Sequence, residues 1–412
     1  NKSYMKRKGV NDIELLLSEL DKQQLCDFIR VECANDRHFQ QRFLSLGTGF
    51  LTSPKFCDYH ARIMDVIEEF GDRHGYVEYS KTFRLNRAIC QIIDEADIAI
   101  QNYQWDVAQT ILDSIATSGE EILYCGDDSA GELGDILHYC FRKWHELTSD
   151  ELLPEGKKSE LFELFLTHFA EGCLKEFDWW WDWIQMAIQL ADDEEMQGRI
   201  IQELDKVINI KGDEWGVNYN RQVAQRHKLE IMSKRGTPEE QFKFMYENVS
   251  NPDFRRRLLQ MAWDRGDYKE VLRLAVDGAT HDSDYAGLVN DWRKWELKVY
   301  LQTHDNAGSL RLYQYFFFNG GRFGEEAYSM ENIYGQMKSI VLEDEWKDFV
   351  ETLLNEAASS RSHFRMLFIY SQEKMWDRYM DYLRKSPVIS ELDEAPEDVW
   401  KLYKDELIQL YT

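Results

Sequence analysis

The residues of this sequence best suited to bind another molecule lie in one tryptophan-rich segment. The string from Phe177 to Trp183 reads Phe-Asp-Trp-Trp-Trp-Asp-Trp. Indole rings stack on sugar rings, cations and peptide side chains, and neighbouring carboxylates favour a cationic partner. On a helix Trp180 and Trp183 share one face with the apolar residues that follow, and the other indoles point elsewhere. The candidate binding residues are Trp179, Trp181, Asp178 and Asp182.

Two interpretations of this segment stay open at the level of sequence. The indoles could be buried where adjacent helices pack, or Trp179 and Trp181 could form an exposed aromatic platform with the two carboxylates beside them. The platform would suit a sugar ring, a cation or an anchoring side chain of a peptide.

Motifs of known catalytic or metal-binding spacing are absent. The sequence contains no glycine-rich phosphate loop, no nucleophile elbow and no His-Glu-x-x-His zinc motif. His138 and His145 lie seven positions apart, too far to share a metal without a ligand from elsewhere. We therefore predict no catalytic residue, no metal and no cofactor.

Two acidic loops invite a metal interpretation, but their spacing favours helix capping. Near Gly131 a calcium loop would need a more distant glutamate, whereas Ser129 and Glu132 have the spacing of a capping box. In the second loop Asp282 or Ser283 is expected to cap the helix that follows.

The amino-acid composition limits the kinds of partner that this protein can bind. Seventy-five Asp and Glu against 49 Lys and Arg give a net charge of −26 over 412 residues, which repels phosphate backbones. Nucleic acid is therefore an unsuitable partner, and a basic protein or peptide is favoured. A basic cluster is found at the beginning of the sequence, at Lys2, Lys6, Arg7 and Lys8.

The cysteines and the hydropathy of the sequence indicate the cellular compartment of the protein. The seven cysteines are unevenly spread and form no Cys-x-x-Cys pair, as expected of reduced thiols in the cytoplasm. The sequence has no signal-peptide core and no apolar stretch of spanning length, so we expect no membrane association.

The placement of prolines indicates the secondary structure that positions these residues. Five of the six prolines stand where a helix would begin, and four of them follow a good N-cap residue. The four pairs are Ser53-Pro54, Thr237-Pro238, Asn251-Pro252 and Ser386-Pro387, and Pro396 is the fifth. The chain is therefore predicted to be all-α, with many short helices joined by brief turns.

One local pattern recurs along the predicted helices. An aromatic residue opens a helix just after a turn and is followed by apolar residues on the same face, beginning at Trp105, Tyr268, Trp346 and Trp376. In the run from Leu258 to Asp277 a small residue, a tight Gly-Asp turn and an aromatic follow one another, as in tetratricopeptide hairpins. The fold class predicted is a right-handed α-solenoid of tetratricopeptide-like hairpins.

The predicted organisation has three parts. A small helical unit is expected at 1–50, a first helical-repeat region at 51–210 and a second at 211–412, with the glycine-containing stretch near 211–216 as the boundary. The two repeat regions could also be one continuous solenoid.

Three segments carry a resemblance to a known family. The stretch from Leu16 to Phe39, the acidic turn from Gly126 to Leu133 and the run from Leu258 to Asp277 resemble the helical region that follows the zinc-binding module of bacterial SWIM zinc finger proteins. The resemblance implies an upstream module with a Cys-x-Cys and His-x-Cys ligand set. This sequence contains no Cys-x-Cys, so the ligand set is incomplete and no zinc ligand is assigned, and we expect a fragment that follows that module.

These inferences lead to one functional expectation and one rival. The leading expectation is a cytoplasmic, non-enzymatic scaffold that binds a protein or peptide on the concave face of its solenoid. The rival is an α/α-toroid enzyme that acts on polysaccharide with paired carboxylates. A regulatory region that depends on the upstream module is a third possibility, and the sequence leaves the oligomeric state open.

Overall fold

A computed structural model describes residues 19–36, 39–40, 43, 58–212, 214–319, 326–385 and 387–411. Within these ranges the chain forms 21 α-helices and one 3-10 turn. The described residues contain no strand, and a parallel bridge between Val77 and Gly126 is isolated. The all-α prediction is confirmed.

The chain divides into two compact units, residues 1–238 and residues 239–412. Helices of the first unit are α1 Lys22–Asn35, α2 Tyr59–Phe70, α3 Tyr79–Gln101, α4 Trp105–Thr117, α5 Gly119–Tyr124, α6 Glu132–Thr148, α7 Glu155–Glu171, α8 Trp180–Leu190, α9 Glu194–Ile208 and α10 Trp215–Arg235. Helix α11, Pro238–Glu247, begins at the division.

The second unit continues with ten further helices. They are α12 Pro252–Asp264, α13 Tyr268–His281, α14 Ala286–Gln302, α15 Asn306–Asn319, α16 Met330–Ile340, α17 Trp346–Ser359, α18 His363–Gln372, α19 Trp376–Lys385, α20 Ile389–Asp393 and α21 Glu397–Leu410. The 3-10 turn, Glu326–Tyr328, precedes α16.

Neighbouring helices along the chain cover one another's apolar faces. In the first unit α3 packs on α4 and α6, and α6 packs on α8; in the second unit α12 to α16 pack in sequence, as do α17 to α19. Each unit has its own core, around Trp144 and Trp183 in the first and around Phe316 and Met337 in the second. This is the packing of a helical-repeat protein, in which each hairpin is covered by the next.

A single turn geometry joins many of these hairpins. The residue two positions before the next helix adopts a positive φ of 54–71° at Tyr103, Gly266, His304, Arg361 and Lys374. The next residue donates its backbone N–H to the carbonyl five positions earlier, at 2.8–2.9 Å, in all five turns. This six-to-one hydrogen bond closes the helix C-terminus as a Schellman motif, so the repeat is structural even where the sequence varies.

Several helices begin at, or one residue after, the prolines and at the aromatic residues named above. Asn251 accepts the backbone N–H of Asp253, and Pro252 is the first residue of α12, as predicted. Pro396 and Pro154 are cap residues, one position before α21 and α7. The Ser53-Pro54 pair lies outside the described residues.

The prediction for Pro387 is wrong. Helix α20 begins two residues later, at Ile389, and its cap is Val388 in an extended conformation. Its one buried side chain is Leu392, so packing at Leu392, rather than the proline, locates this short helix.

Of the two acidic loops, the first caps the helix that follows it through a residue other than the one expected, and the second does not cap the next helix, so that prediction is wrong. Asp128 accepts the N–H groups of Leu133 at 2.7 Å and Gly134 at 3.2 Å, so it caps α6 in place of Ser129. Asp282 ends α13 and accepts the indole N–H of Trp292 at 2.7 Å, inside the protein. An internal donor, and not the next helix, therefore satisfies that carboxylate.

The division between the units also differs from the expected boundary near residue 211. Arg221 of α10 donates to the carbonyl oxygens of Ile208, Ile210 and Gly212 at 2.7–3.2 Å, and Lys228 pairs with Asp205 of α9 at 2.6 Å. These contacts attach α10 to the first unit. Of the small unit expected at 1–50, the structure describes α1 and a few residues beyond it.

No helix in the described ranges is apolar over a length that would cross a membrane.

Candidate functional site

Helix α8 buries three of the four tryptophans of the aromatic segment. Trp183 is fully enclosed, and Trp180 stacks on Phe169 of α7 with ring centroids 4.5 Å apart. The indole N–H of Trp180 donates to the carbonyl of Phe169 at 2.9 Å. The shared face of Trp180 and Trp183 predicted from helical spacing is therefore the core face of α8.

Trp181 is not part of an exposed platform. Its side chain is 7% exposed, and its ring stacks on His227 of α10 at 5.7 Å. Helix α10 covers the side of α8 that carries Trp181. The spacing of residues within the segment could not predict this contact. The two-indole platform is thus wrong for Trp181, which packs between α8 and α10.

Trp179 has a different environment. It lies just before the first residue of α8, and its ring is half-buried. The ring meets the edge of His138 of α6 at 5.0 Å and the ring of Phe177 at 6.1 Å. Gly134 lies beneath it, where an added Cβ would stand 3.7 Å from the indole. Helix α6 therefore supports one side of the indole.

A cleft of about 720 Å³ opens beside Trp179, between α6 and the start of α8. We call it the Trp179 cleft. Its lining residues are His138, Phe141, Arg142, His145, Glu176, Phe177, Asp178, Trp179 and Asp182. The structure thus brings Asp178, Trp179 and Asp182 together as the sequence suggested and leaves Trp181 out.

Acidic side chains outnumber basic ones in this cleft. Glu176, Asp178 and Asp182 face one guanidinium, that of Arg142, together with two imidazoles. Asp182 Oδ1 is 3.4 Å from His145 Nε2. In the part of the chain that the structure describes, no ion pair engages Glu176 or Asp178.

Arg142 forms no ion pair with those carboxylates among the described residues. Its guanidinium stands 4.9 Å from the ring centroid of Tyr139, on the same helix. The phenol of Tyr139 in turn donates to Asp94 at 2.6 Å, and burial, together with this hydrogen bond, raises the pKa of Tyr139. The arrangement leaves the acidic rim of the Trp179 cleft open to a cation from outside.

Sequence reasoning noted the two histidines but not the surface they share. His138, Arg142 and His145 stand at helical spacings of four and three, so they line one face of α6. That polar face, on a helix otherwise rich in buried apolar residues, was the available signal. Among the described residues no group of three metal-ligating side chains converges, here or elsewhere.

Comparisons with known proteins identify no family for this chain. No protein-family model matches the sequence, and no curated protein is significantly similar to it. A solved structure described as a circular tandem repeat protein with novel repeat topology and enhanced subunit contact surfaces matches 86% of this chain and 97% of its own. The identity is 13% and the TM-score is 0.28, so this likeness supports no argument about shape or function.

Proposed function

We propose that this chain is a non-enzymatic interaction scaffold whose Trp179 cleft binds a cationic segment of a protein or peptide. The observation that carries the proposal is the half-buried indole of Trp179 beside three carboxylates, of which Glu176 and Asp178 have no ion-pair partner among the described residues. The helical-repeat architecture supplies a rigid frame on both sides of the cleft.

An indole ring beside a carboxylate favours the binding of a cationic side chain. A guanidinium over an indole face gains roughly 0.5–2 kcal/mol, depending on how far it is desolvated. A carboxylate at the edge of the same guanidinium adds a charge-assisted hydrogen bond. Since a flat guanidinium can stack and pair at once, arginine suits this cleft better than lysine.

The charge of the whole chain acts in the same direction. With a net charge of −26 the protein attracts basic segments and repels acidic ones before contact. Long-range attraction raises the association rate and is screened by salt, whereas the contacts in the cleft decide which segment stays bound.

The test uses a fluorescein-labelled peptide of alternating arginine and glycine, followed by fluorescence anisotropy at near-physiological salt. Trp179→Ala is expected to weaken binding about tenfold, because it removes the stacking surface at the centre of the site. Asp178→Asn and Asp182→Asn should each weaken it less. Trp215→Ala is the matched control, since Trp215 is 71% exposed, lies in the same unit and is not a lining residue of the cleft.

Two results would contradict the proposal. Equal loss in Trp179→Ala and Trp215→Ala would mean that the peptide binds the acidic surface without using the cleft. Release of reducing sugar from a polysaccharide by the wild type, abolished in Asp182→Asn, would instead make the protein an enzyme of the rival class.

We also propose that the chain acts in the cytoplasm, as part of a larger SWIM-zinc-finger-like protein. Six described cysteines are free, which suits a reducing compartment. The family relationship rests on the three sequence segments quoted above. Reading the gene upstream of Asn1 tests it, because the proposal requires a Cys-x-Cys and His-x-Cys set there.

A further inference from the structure

A second concave surface lies in the other unit and takes no part in the Trp179 cleft. It is a groove of about 510 Å³ formed by α15, the end of α16 and α17. Leu310, Ile340, Val341 and Phe349 are partly buried along it, and Leu342 is 63% exposed. We call it the Leu342 groove.

The rim of the Leu342 groove is acidic. Glu345 and Asp348 line it, and Glu343 and Asp344 stand directly before them in the sequence. Within the described ranges no ion pair engages any of these four carboxylates, and the groove has no basic lining residue.

Helix stability explains only part of this arrangement. Carboxylates near the first turn of α17 are favourable there because they interact with the helix dipole. The dipole gives no reason for a leucine to stand exposed beside them. A single exposed leucine is common on protein surfaces, but Leu342 adjoins the partly buried Leu310, Val341 and Phe349, and this continuous apolar surface beside unpaired carboxylates suits a binding surface.

We propose that the Leu342 groove binds a short segment of a partner protein that presents one large apolar side chain next to lysine or arginine. The apolar side chain packs against Leu310, Val341 and Phe349, and the basic residue pairs with Glu345 or Asp348. This inference does not depend on the Trp179 cleft.

Charge excludes the other occupants. A second copy of this chain also carries a net charge of −26, and would bring like charge to an acidic rim. Nucleic acid and acidic peptides meet the same repulsion. A basic amphipathic segment removes the exposed leucine from water and neutralises the rim in one contact.

The experiment uses the full chain carrying Trp179→Ala, so that the first cleft does not contribute. The probe is a fluorescein-labelled helical peptide of leucine, lysine and alanine with the leucines on one face. Two companion peptides replace leucine by alanine or lysine by glutamate. We expect the first peptide to bind, and each companion to bind more weakly by about tenfold or more.

Variants then locate the contact. Glu345→Lys and Asp348→Lys, made one at a time, and separately Leu342→Ala, should each weaken the peptide about tenfold. Glu356→Lys is the matched control, because Glu356 is an exposed residue of the same helix about two to three turns further on. All these positions are on the surface, so the variants are expected to fold.

Three outcomes would overturn the inference. One is equal weakening by Glu356→Lys and by the rim reversals, which would mean general attraction to an acidic protein. Another is unchanged affinity in Leu342→Ala. The third is a dimer of the wild type that Leu342→Ala dissociates in sedimentation analysis, which would assign the groove to a second copy of the chain.

Discussion

Neighbouring tryptophans differ in this protein because different elements cover them. Trp181 packs between α8 and α10, whereas Trp179 keeps part of its ring in the cleft. Trp181→Ala should therefore lower the free energy of unfolding by about 3–5 kcal/mol, the usual cost of truncating a buried tryptophan. Trp179→Ala should lower it much less. Urea denaturation followed by circular dichroism measures both, and equal losses would contradict the account of the cleft.

A second residue-scale prediction concerns His227, which stacks on Trp181. Burial lowers the pKa of His227, and the nearby Glu230 carboxylate only partly offsets this. The imidazole is therefore neutral in the folded protein at pH values where the unfolded chain takes up a proton, below about 6.5. The stability that it contributes is complete above that pH and decreases as the pH falls through this window.

The measurement compares the wild type with His227→Phe, which keeps an aromatic ring against Trp181. The difference in unfolding free energy, wild type minus variant, should become smaller from pH 7.5 to pH 5. Other titrating groups cancel in this difference because both proteins contain them. A difference that is constant, or that grows toward low pH, would show that burial of His227 does not govern its protonation.

At the scale of elements, the recurring turn predicts that a change to glycine raises the free energy of unfolding at some positions and lowers it at others. Lys374 is exposed and holds a φ of 54°, a conformation that costs less for glycine than for any other residue. Lys374→Gly should raise the free energy of unfolding by about 0.5–1 kcal/mol. Gly266→Ala, at the equivalent position with a φ of 71°, should lower it by a similar amount.

The control for this pair is Lys243→Gly. Lys243 is exposed within helix α11, where glycine costs about 1 kcal/mol relative to good helix formers. The same chemical change should thus stabilise at position 374 and destabilise at position 243. Thermal unfolding of the three variants shows whether each change raises or lowers the stability. A loss of stability in Lys374→Gly would mean that this turn does not share the geometry of the other four.

The helices could be predicted from the sequence because their signals are local. The aromatic positions Trp105, Tyr268, Trp346 and Trp376 are each the first residue of a helix, as expected. Local signals were weaker for the turns, since four of the five recurring turns use a residue other than glycine at the positive-φ position. The turn is identified by its hydrogen bond, which sequence does not display.

The candidate site could be predicted only in part, for a related reason. Asp178, Trp179 and Asp182 are close in sequence, and the structure keeps them together. The burial of Trp181 depends on α10, which follows much later in the chain, so it could not be inferred from the segment itself. The Leu342 groove likewise needs three helices in contact before its apolar floor exists.

At the scale of the whole molecule, the division at Pro238 predicts which fragments of the chain fold stably. Helix α10 contributes the buried residues Val223, Ala224 and Ile231 to the core of the first unit. A fragment of residues 1–238 should therefore unfold cooperatively, whereas residues 1–211 should unfold at a clearly lower temperature because α9 loses its cover. Calorimetry of the two fragments tests this, and equal midpoints would place the boundary where the sequence first suggested.

The unit of residues 239–412 should also fold by itself, since its core residues, such as Phe316 and Met337, lie within it. Circular dichroism of that fragment should show the helical content expected from α11 to α21. If it were largely unfolded, the two units would not be independent domains.

The central claim is that this helical array holds a cationic segment of another protein at the Trp179 cleft. The most direct measurement is a selection of random peptides on the immobilised full chain, run in parallel on the wild type and on Trp179→Ala. We expect arginine-containing peptides to be enriched by the wild type, and that family to disappear on Trp179→Ala while the Trp215→Ala control retains it. Enrichment of the same peptides by Trp179→Ala, or of peptides without basic residues by the wild type, would contradict the claim.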